Sequence, residues 1–430
     1  MSIYWNTNST TRVRPEVGNE IQKYLASNMS NSFLNPSDYS DESKALFIDV
    51  ISKVKSSFLR CINADYQDFA IFTSSGSESN NIALATGEKF ISAGGTIILS
   101  AIEHDSINLR STYLRQMGYN VKIINVDACG RYDYEQLNNL SCDGPVFISM
   151  MLVNNELGNI YDLKRVVEIA HRKWKDVLVH TDAVQALGKL PIDVQALGVD
   201  MLSVSGHKIG CPKGIGALYV KKGVQIQPLV YGHQECGYRG GTENVPYIAG
   251  FGKALEIMQY QMAEKYEAII KDYRDKVQNG ILAICAKYGL HAYVNGDVEN
   301  RVANTTSITI DGIDNIKLII AAGTVRKGEA REKIYFSNGA ACNSAMCSAN
   351  PERKSKTKPS PVLSAICHPN FQGVIRISVG DELYDYGRNQ LNYDLNEEKA
   401  VFVNIKSKMR VNLTKGLADF EQVLKQQINK

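Results

Sequence analysis

An α/β protein built on a mostly parallel sheet, with a smaller α/β unit toward the C-terminal end, is the fold class that this sequence predicts. Three observations carry the prediction. Short β-rich apolar runs alternate with longer stretches of helical periodicity through the first half of the chain, the rhythm of a sheet covered by helices. After Gly241 the rhythm changes, and a long helical stretch leads into a new strand-like run. The composition, 44% hydrophobic and 22% charged over 430 residues, suits one large domain and a second, smaller one.

The strand-like runs come in order as Ala70 to Phe72, Thr96 to Leu99, Val121 to Ile124, Val146 to Met150 and Val177 to His180. Each is rich in Val, Ile and Phe and too short for a helix. Between them, apolar spacing predicts helices over Glu78 to Ala93, His104 to Gln116 and Leu163 to Trp174. "SVSGHKIGCPKGIGALYV", 203 to 220, sets Lys208 between two further apolar runs. A helical stretch from about Ile248 to Tyr288 precedes "NTTSITI", 304 to 310. The domain boundary falls within that stretch, near residue 260, giving a large domain of 15–260 and a small domain of 1–14 with 261–430. "NPERKSKTKPSP", 350 to 361, reads as a loop from its prolines and basic residues.

Composition also excludes. Lys and Arg number 48 against 45 Asp and Glu, a net charge of +3, so nothing global argues for nucleic acid or an anionic membrane as partner. Nine cysteines without a CxxC pair or zinc-like spacing read as reduced thiols, with no metal site, in a cytosol-like compartment. No window reaches the apolar length of a membrane span, and the N-terminus lacks the apolar core of a signal peptide. A cytoplasmic location is the expectation, which makes the sequons at Asn8, Asn139 and Asn304 chance matches.

In an open α/β sheet, chemistry gathers at the carboxyl ends of the strands, and five ends here carry polar clusters. "TSSGSESNN", 73 to 81, offers a capping box of Ser75 and Glu78 with Ser77 at the helix start, which is either a plain N-cap or a phosphate cradle. "EHDS" puts His104 at a helix start, as a cap or as a functional group. "VNNELGN", 153 to 159, supplies two amides and a carboxylate. "VHTDAVQALGK", 179 to 189, ends an apolar run on Asp182, with Gln185 three further on, and a buried carboxylate there needs a cationic partner or it protonates. Lys208 completes a set that pyridoxal phosphate requires: a lysine for the Schiff base, an acid facing the pyridinium nitrogen, and a phosphate site, for which Ser77, Ser205 and His207 are candidates. The P-loop order GxxxxGK[ST] is absent from "GCPKGIG", which argues against a nucleotide.

From about Tyr4 to Gly380 the chain resembles the cysteine desulfurases of the NifS/IscS type, in the class V aminotransferase group of fold-type-I pyridoxal phosphate enzymes. The resemblance rests on ten segments in family order: "NPS" at 35 to 37, "FTSSGSESNN", "EHDS", "VNNELGN", "HTDAVQALGK", "SGHKIGCPKGIGALYV", "GGTENVP" at 240 to 246, "GAAC" at 339 to 342, "PSPVLSAI" at 359 to 366 and "IRISVG" at 375 to 380. By position it implies that Lys208 is the Schiff-base lysine and proton shuttle. Asp182 pairs with the pyridinium nitrogen, Gln185 bonds the ring hydroxyl and His104 stacks on the ring. It further implies Ser77, Ser205 and His207 as phosphate ligands, with Thr242 of a second subunit completing the site of a homodimer. Asn155 and Arg376 are implied for the substrate carboxylate, Arg376 as a bidentate fork. Cys342 matches the cysteine that takes the sulfur of L-cysteine, leaving alanine and a persulfide for an acceptor such as an Fe-S scaffold.

The polar, Gly/Ala-rich stretch "SNGAACNSAMCSAN" gives Cys342 the setting of a nucleophile rather than of a core thiol, while Cys347 could compete or resolve. Arg353, Lys354, Lys356 and Lys358 form either a dock for an acidic acceptor or a solvated loop. A selenocysteine lyase or aminotransferase of the same fold, or a diverged binding or scaffold protein, are the alternatives. Three departures stand out. The N-terminus reads "YWNTNSTT" where the family has an acidic residue and alanine before "TT"; Cys211 stands where glycine is usual and strains the turn if its φ is positive; and "DELYDYGRNQ" after Gly380 does not match the family's continuation.

Overall fold

The computed structural model describes residues 2–25, 35–91, 94–263, 266–325, 332–339, 360–380 and 398–428, with side chains of the last stretch described from Met409 onward. Twelve strands are present among these residues: β1 (Ile3–Tyr4), β2 (Phe69–Thr73), β3 (Thr96–Ser100), β4 (Asn120–Ile124), β5 (Val146–Ser149), β6 (Val177–Asp182), β7 (Met201–Ser205), β8 (Gly216–Val220), β9 (Ala292–Asn295), β10 (Thr305–Ile310), β11 (Ile334–Tyr335) and β12 (Val374–Ser378). Seven of them form the large sheet in the order β2-β8-β7-β6-β5-β3-β4. Its neighbours pair in parallel except around β8, which runs antiparallel to both β2 and β7. The five predicted strands are all there with ends shifted by a residue or two.

Alternation explains why this sheet is covered on both faces. Successive side chains of a strand point opposite ways, and in β3 the two sides feed different clusters. Ile98 packs with Ile148, Val179, Val204 and Phe251 on one face, whereas Ile97 and Leu99 pack with Ile82, Leu84, Phe147 and Leu218 on the other. Helices Gly76–Phe90, Asp105–Gln116 and Leu163–Lys173 sit near the predicted spans. In this sheet only β4, at one edge, alternates exposed with half-buried positions, as a strand with one neighbour can.

The predicted helical stretch from Ile248 to Tyr288 is helical over Val245–Ala263 and Tyr266–Lys287, on either side of residues 264–265, which lie outside the described residues. One periodicity serves two cores: Ile248, Phe251, Leu255 and Met258 enter the large-sheet core, while Tyr266, Ile270, Tyr273, Val277 and Ile281 enter a separate cluster with Ile3, Trp5, Ile308, Ile375 and Phe420. That second cluster lies against the antiparallel sheet β12-β10-β9 and the pair β1-β11. A C-terminal helix, Glu398–Ile428, supplies Met409, Phe420, Val423 and Leu424 to it. Gly416 is where this helix crosses Trp5, since a Cβ there would lie 2.5 Å from the indole. The chain after Gly380 therefore returns to the core that the N-terminal strand begins.

Candidate active site

Every strand end that carried a polar cluster in the sequence opens on one cavity of about 200 Å³. Lys208 reaches it from a tight helical turn, Gly206–Lys208, that directly follows β7. The turn is possible because Gly206 lies against Ile215 and Cys211, where a Cβ would come within 2.8 Å of Ile215 Cγ2, and because Gly210 takes a φ of +89°. Cys211 is not among the residues with positive φ, so the strain expected at that departure is absent; Gly210 carries the left-handed conformation instead. The Cys211 thiol is buried, and burial pushes it up to about 12, which leaves it inert as a nucleophile. Lys208 Nζ donates to the carbonyls of Asn8 at 2.6 Å and Ser9 at 2.8 Å.

The predicted capping box forms with one change of partner. Ser75 Oγ accepts from the Glu78 amide at 3.2 Å, but Glu78 reaches back to the amide of Ser74, at 2.6 Å, rather than to Ser75. Arg239 Nε, 2.8 Å away, holds the other carboxylate oxygen. The first turn of this 15-residue helix then faces the cavity through Ser75, Gly76 and Ser77. Ser205, at the end of β7, adds a buried hydroxyl that has no hydrogen-bond partner among the described residues. His207 accepts or donates at Nδ1 with Thr10 Oγ1 at 3.0 Å, and burial followed by the charge of Lys208 lowers its pKa to about 3. Its imidazole is neutral rather than cationic.

Asp182 ends β6 with its carboxylate lining the cavity. The cationic partner expected for it is replaced by two neutral donors: Asn80 Nδ2 at 2.7 Å and the Val184 amide at 2.9 Å. A carboxylate held by hydrogen bonds keeps an acceptor for a third partner without a fixed counter-ion to displace. Gln185 Nε2 donates to the Asn8 carbonyl at 3.0 Å, and its Oε1 accepts from Lys189. His104 is the helix cap, its Nδ1 accepting from the Ser106 amide at 3.1 Å at the start of Asp105–Gln116, and its ring also lines the cavity. Just before it, Glu103 is fully interior; burial drives its carboxyl up to about 8, against the pull of the Ser100 hydroxyl and the Met151 amide.

On the opposite wall, Arg376 projects from β12 and is 1% exposed. Its Nη1 donates to the carbonyls of Asn155 at 3.0 Å and Gly339 at 2.7 Å, and its Nη2 to Asn6 Oδ1 at 2.7 Å. Glu156 lies beside it, with burial pushing the carboxyl up to about 7 despite the Ser360 hydroxyl and the Arg376 charge.

Of the residues singled out in the sequence, Ser77, His104, Asn155, Asp182, Gln185, Ser205, His207, Lys208 and Arg376 all line this cavity. Thr242 does not; it is exposed and lines a separate depression with Ser74, Gly214 and Arg239. Cys342 lies outside the described residues, as do Cys347 and the basic positions Arg353, Lys354, Lys356 and Lys358. Among the described residues no helix is long and apolar enough to cross a membrane.

The aminotransferase class-V family model matches residues 3–380. The chain belongs to the class-V aminotransferase family. Among its relatives in that family, the cysteine desulfurase IscS of Methanosarcina thermophila is 36% identical over 387 residues, covering 88% of this chain and 87% of that protein. The cysteine desulfurase NifS of Azotobacter vinelandii is 32% identical, over 88% of this chain and 87% of its own. A solved NifS-like protein superposes with a TM-score of 0.76 at 28% identity, covering 96% of this chain and 99% of that one.

Pyridoxal phosphate is the cofactor of the class-V aminotransferases, and this cavity fits it. The orphaned Ser205 hydroxyl and the helix start at Gly76 and Ser77 face the same space, a donor set suited to a phosphate. A Cβ at Gly76 would sit 2.5 Å from Val184 and 3.4 Å from Ser205, so only glycine lets this class-V site bring helix and strand end together.

Several residues of the cavity escaped sequence reading. Asn80, Asn8, Glu103 and Glu156 line it and Asn6 bonds Arg376 of its wall; all sit in quoted stretches, yet none had a visible partner. Asn6 meets Arg376 across 370 residues of chain, and no local pattern announces such a pair.

Proposed function

We infer that this chain is a pyridoxal phosphate-dependent cysteine desulfurase, converting L-cysteine to L-alanine with the sulfur kept as a persulfide on Cys342. The observation that carries the reading is the convergence of Lys208, Asp182 and Arg376 on one cavity, in a class-V aminotransferase whose relatives are named cysteine desulfurases. The cofactor, when bound, supplies an electron sink for the substrate carbon that bears the amine. Lys208 would hold its aldehyde, Ser77, Ser205 and His207 its phosphate, Gln185 its hydroxyl and His104 its ring face. Asp182 would hold a proton at its ring nitrogen.

Arg376 and Asn155 fix the substrate α-carboxylate, which orients the cysteine carbon skeleton toward Lys208. Lys208 Nζ moves the proton at the α-carbon. Cys342, as thiolate, attacks the substrate sulfur: an S–S bond forms, the substrate C–S bond breaks with its electron pair left on carbon, and a proton on that carbon completes alanine. The sum, cysteine plus Cys342 thiol giving alanine plus Cys342 persulfide, needs no outside oxidant.

The finer features extend this reading. Residues 15–260 form the large unit and 1–14 with 261–430 the small one, a division in keeping with the second cluster, which joins Ile3 and Trp5 to residues from Tyr266 onward, while Val302, Val362, Leu363, Ile366 and Val374 pack with the large-sheet core. Two subunits share composite sites through Thr242, in keeping with its exposure on its own chain. A reduced, cytosol-like compartment and a protein acceptor such as an Fe-S scaffold complete the setting.

The test is to measure alanine and sulfide from L-cysteine with and without a reductant. Alanine in both, with free sulfide only when the reductant is added, is the expected result. A keto acid product would mark an aminotransferase, turnover of selenocysteine alone a selenocysteine lyase, and no turnover of a cofactor-loaded protein a binding role.

A further inference from the structure

Resting on that reading, we propose that Asn8 is a positioning residue of this site: its side-chain amide is pinned between the large-sheet strand ends and β10, so that its main-chain carbonyl aims the Lys208 amine and the Gln185 amide. The Asn8 carbonyl, on the cavity wall, accepts from Lys208 Nζ at 2.6 Å and from Gln185 Nε2 at 3.0 Å. Both lone pairs of one backbone oxygen thus serve cavity side chains. The Ser9 carbonyl, at 2.8 Å, takes a second N–H of Lys208. Two N–H bonds committed to fixed carbonyls set the direction of the nitrogen's remaining positions. In the unprotonated amine that includes the lone pair, the part that joins an aldehyde or takes a proton.

The side chain is what holds that carbonyl in place. Asn8 is buried, and its Nδ2 donates to the Asn155 carbonyl at 3.2 Å and to Thr305 Oγ1 at 2.9 Å. Its Oδ1 accepts from Lys189 Nζ at 2.7 Å and Asn304 Nδ2 at 3.1 Å, and its backbone amide donates to Ser378 Oγ at 2.9 Å. Every donor and acceptor of the residue is used. Lys189 gains a purpose from the same arrangement. It is a fully interior lysine whose pKa is driven well below the usual range by burial and by the charges of Lys208 and Arg376. Its bonds go to Asn8 Oδ1 and Gln185 Oε1, so it ties together the two amides that flank Lys208. Alanine at position 8 would keep the carbonyl and lose everything that aims it; aspartate would have no donor for the Asn155 carbonyl.

The test follows the absorbance change as pyridoxal phosphate attaches to the full-length, cofactor-free chain, a readout that needs no turnover. The limiting rate at high cofactor concentration reports how well the Lys208 amine is aimed, and the half-saturating concentration reports the phosphate and ring contacts. Asn8→Ala is expected to lower the limiting rate about tenfold with half-saturation changed less than about threefold. Thr305→Val takes one acceptor from the Asn8 amide at a position outside the cavity, and should lower the limiting rate about threefold. Thr7→Val is the control for a loosened segment, because Thr7 Oγ1 anchors the same strand of chain on the Val379 carbonyl at 2.9 Å. It should lower the urea midpoint and leave the limiting rate within about twofold of the parent. A parental limiting rate in Asn8→Ala, a change in half-saturation alone, or equal slowing by Thr7→Val overturns the proposal. If Asn8→Ala does not fold, a parental limiting rate in Thr305→Val overturns it. A parent that releases no alanine from cysteine sinks only the desulfurase reading, since attachment is measured without cysteine; a parent that attaches no cofactor at Lys208 sinks both.

Discussion

Asn6 Oδ1 gives Arg376 a neutral acceptor at 2.7 Å, on the arginine assigned to the substrate carboxylate. A neutral partner orients the guanidinium without cancelling its charge, whereas a carboxylate there would compete with the substrate for the same fork. Asn6→Asp is therefore expected to raise KM for cysteine about fivefold, about 1 kcal/mol, with kcat little changed; an unaltered KM would mean that Arg376 does not bind the substrate carboxylate. Single residues were the least evenly legible level of this sequence. Lys208, Asp182 and Ser205 could be read because each lies at or just beyond the end of a strand, the place where an α/β crevice forms. Asn6, Asn80 and Glu156 could not, since their roles depend on partners far along the chain.

Strands and helices were legible because their apolar spacing is local, and the shifts at their ends come from caps that compete for the terminal residues. The helix predicted from Glu78 begins instead at Gly76 because Ser75 accepts from the Glu78 amide. Where one periodicity serves two cores, as from Val245 to Lys287, local reading finds the helical pattern but not the change of core along it. Gly216 of β8 shows an element constrained by its neighbours: a Cβ there would meet backbone at Ser75, 2.7 Å, and Val204, 2.8 Å. Gly216→Ala should cost about 1–3 kcal/mol in urea unfolding and loosen cofactor binding, because β2 and its following helix start must move apart from β7; unchanged stability would show that the close approach is not required.

The molecule as a whole carries opposing titrations. Glu103 is raised from 4.5 to about 8, so the folded state binds its proton more tightly; this contribution is complete below pH 4.5 and is lost as pH rises through about 8. His180, lowered from 6.5 to about 3 by burial, contributes above pH 6.5 and is lost as pH falls toward 3. Glu103→Gln should thus gain melting temperature over the parent as pH rises from 4.5 to about 8, and a pH-independent difference would mean that the Glu103 carboxyl keeps its ordinary affinity for protons. The shared-site dimer is tested by mixing Lys208→Ala chains with Thr242→Ala chains. One intact site per heterodimer should restore part of the activity, and no recovery in verified heterodimers would mean that each subunit works alone. The central claim is that Cys342 takes the sulfur, and mass spectrometry of the cysteine-treated enzyme, beside Cys342→Ser, tests it most directly. The expected result is one extra sulfur on the Cys342 peptide, with Cys342→Ser still binding cofactor and cysteine but losing alanine release by orders of magnitude. Extra sulfur found only on Cys347 or Cys211, with Cys342→Ser fully active, would contradict it.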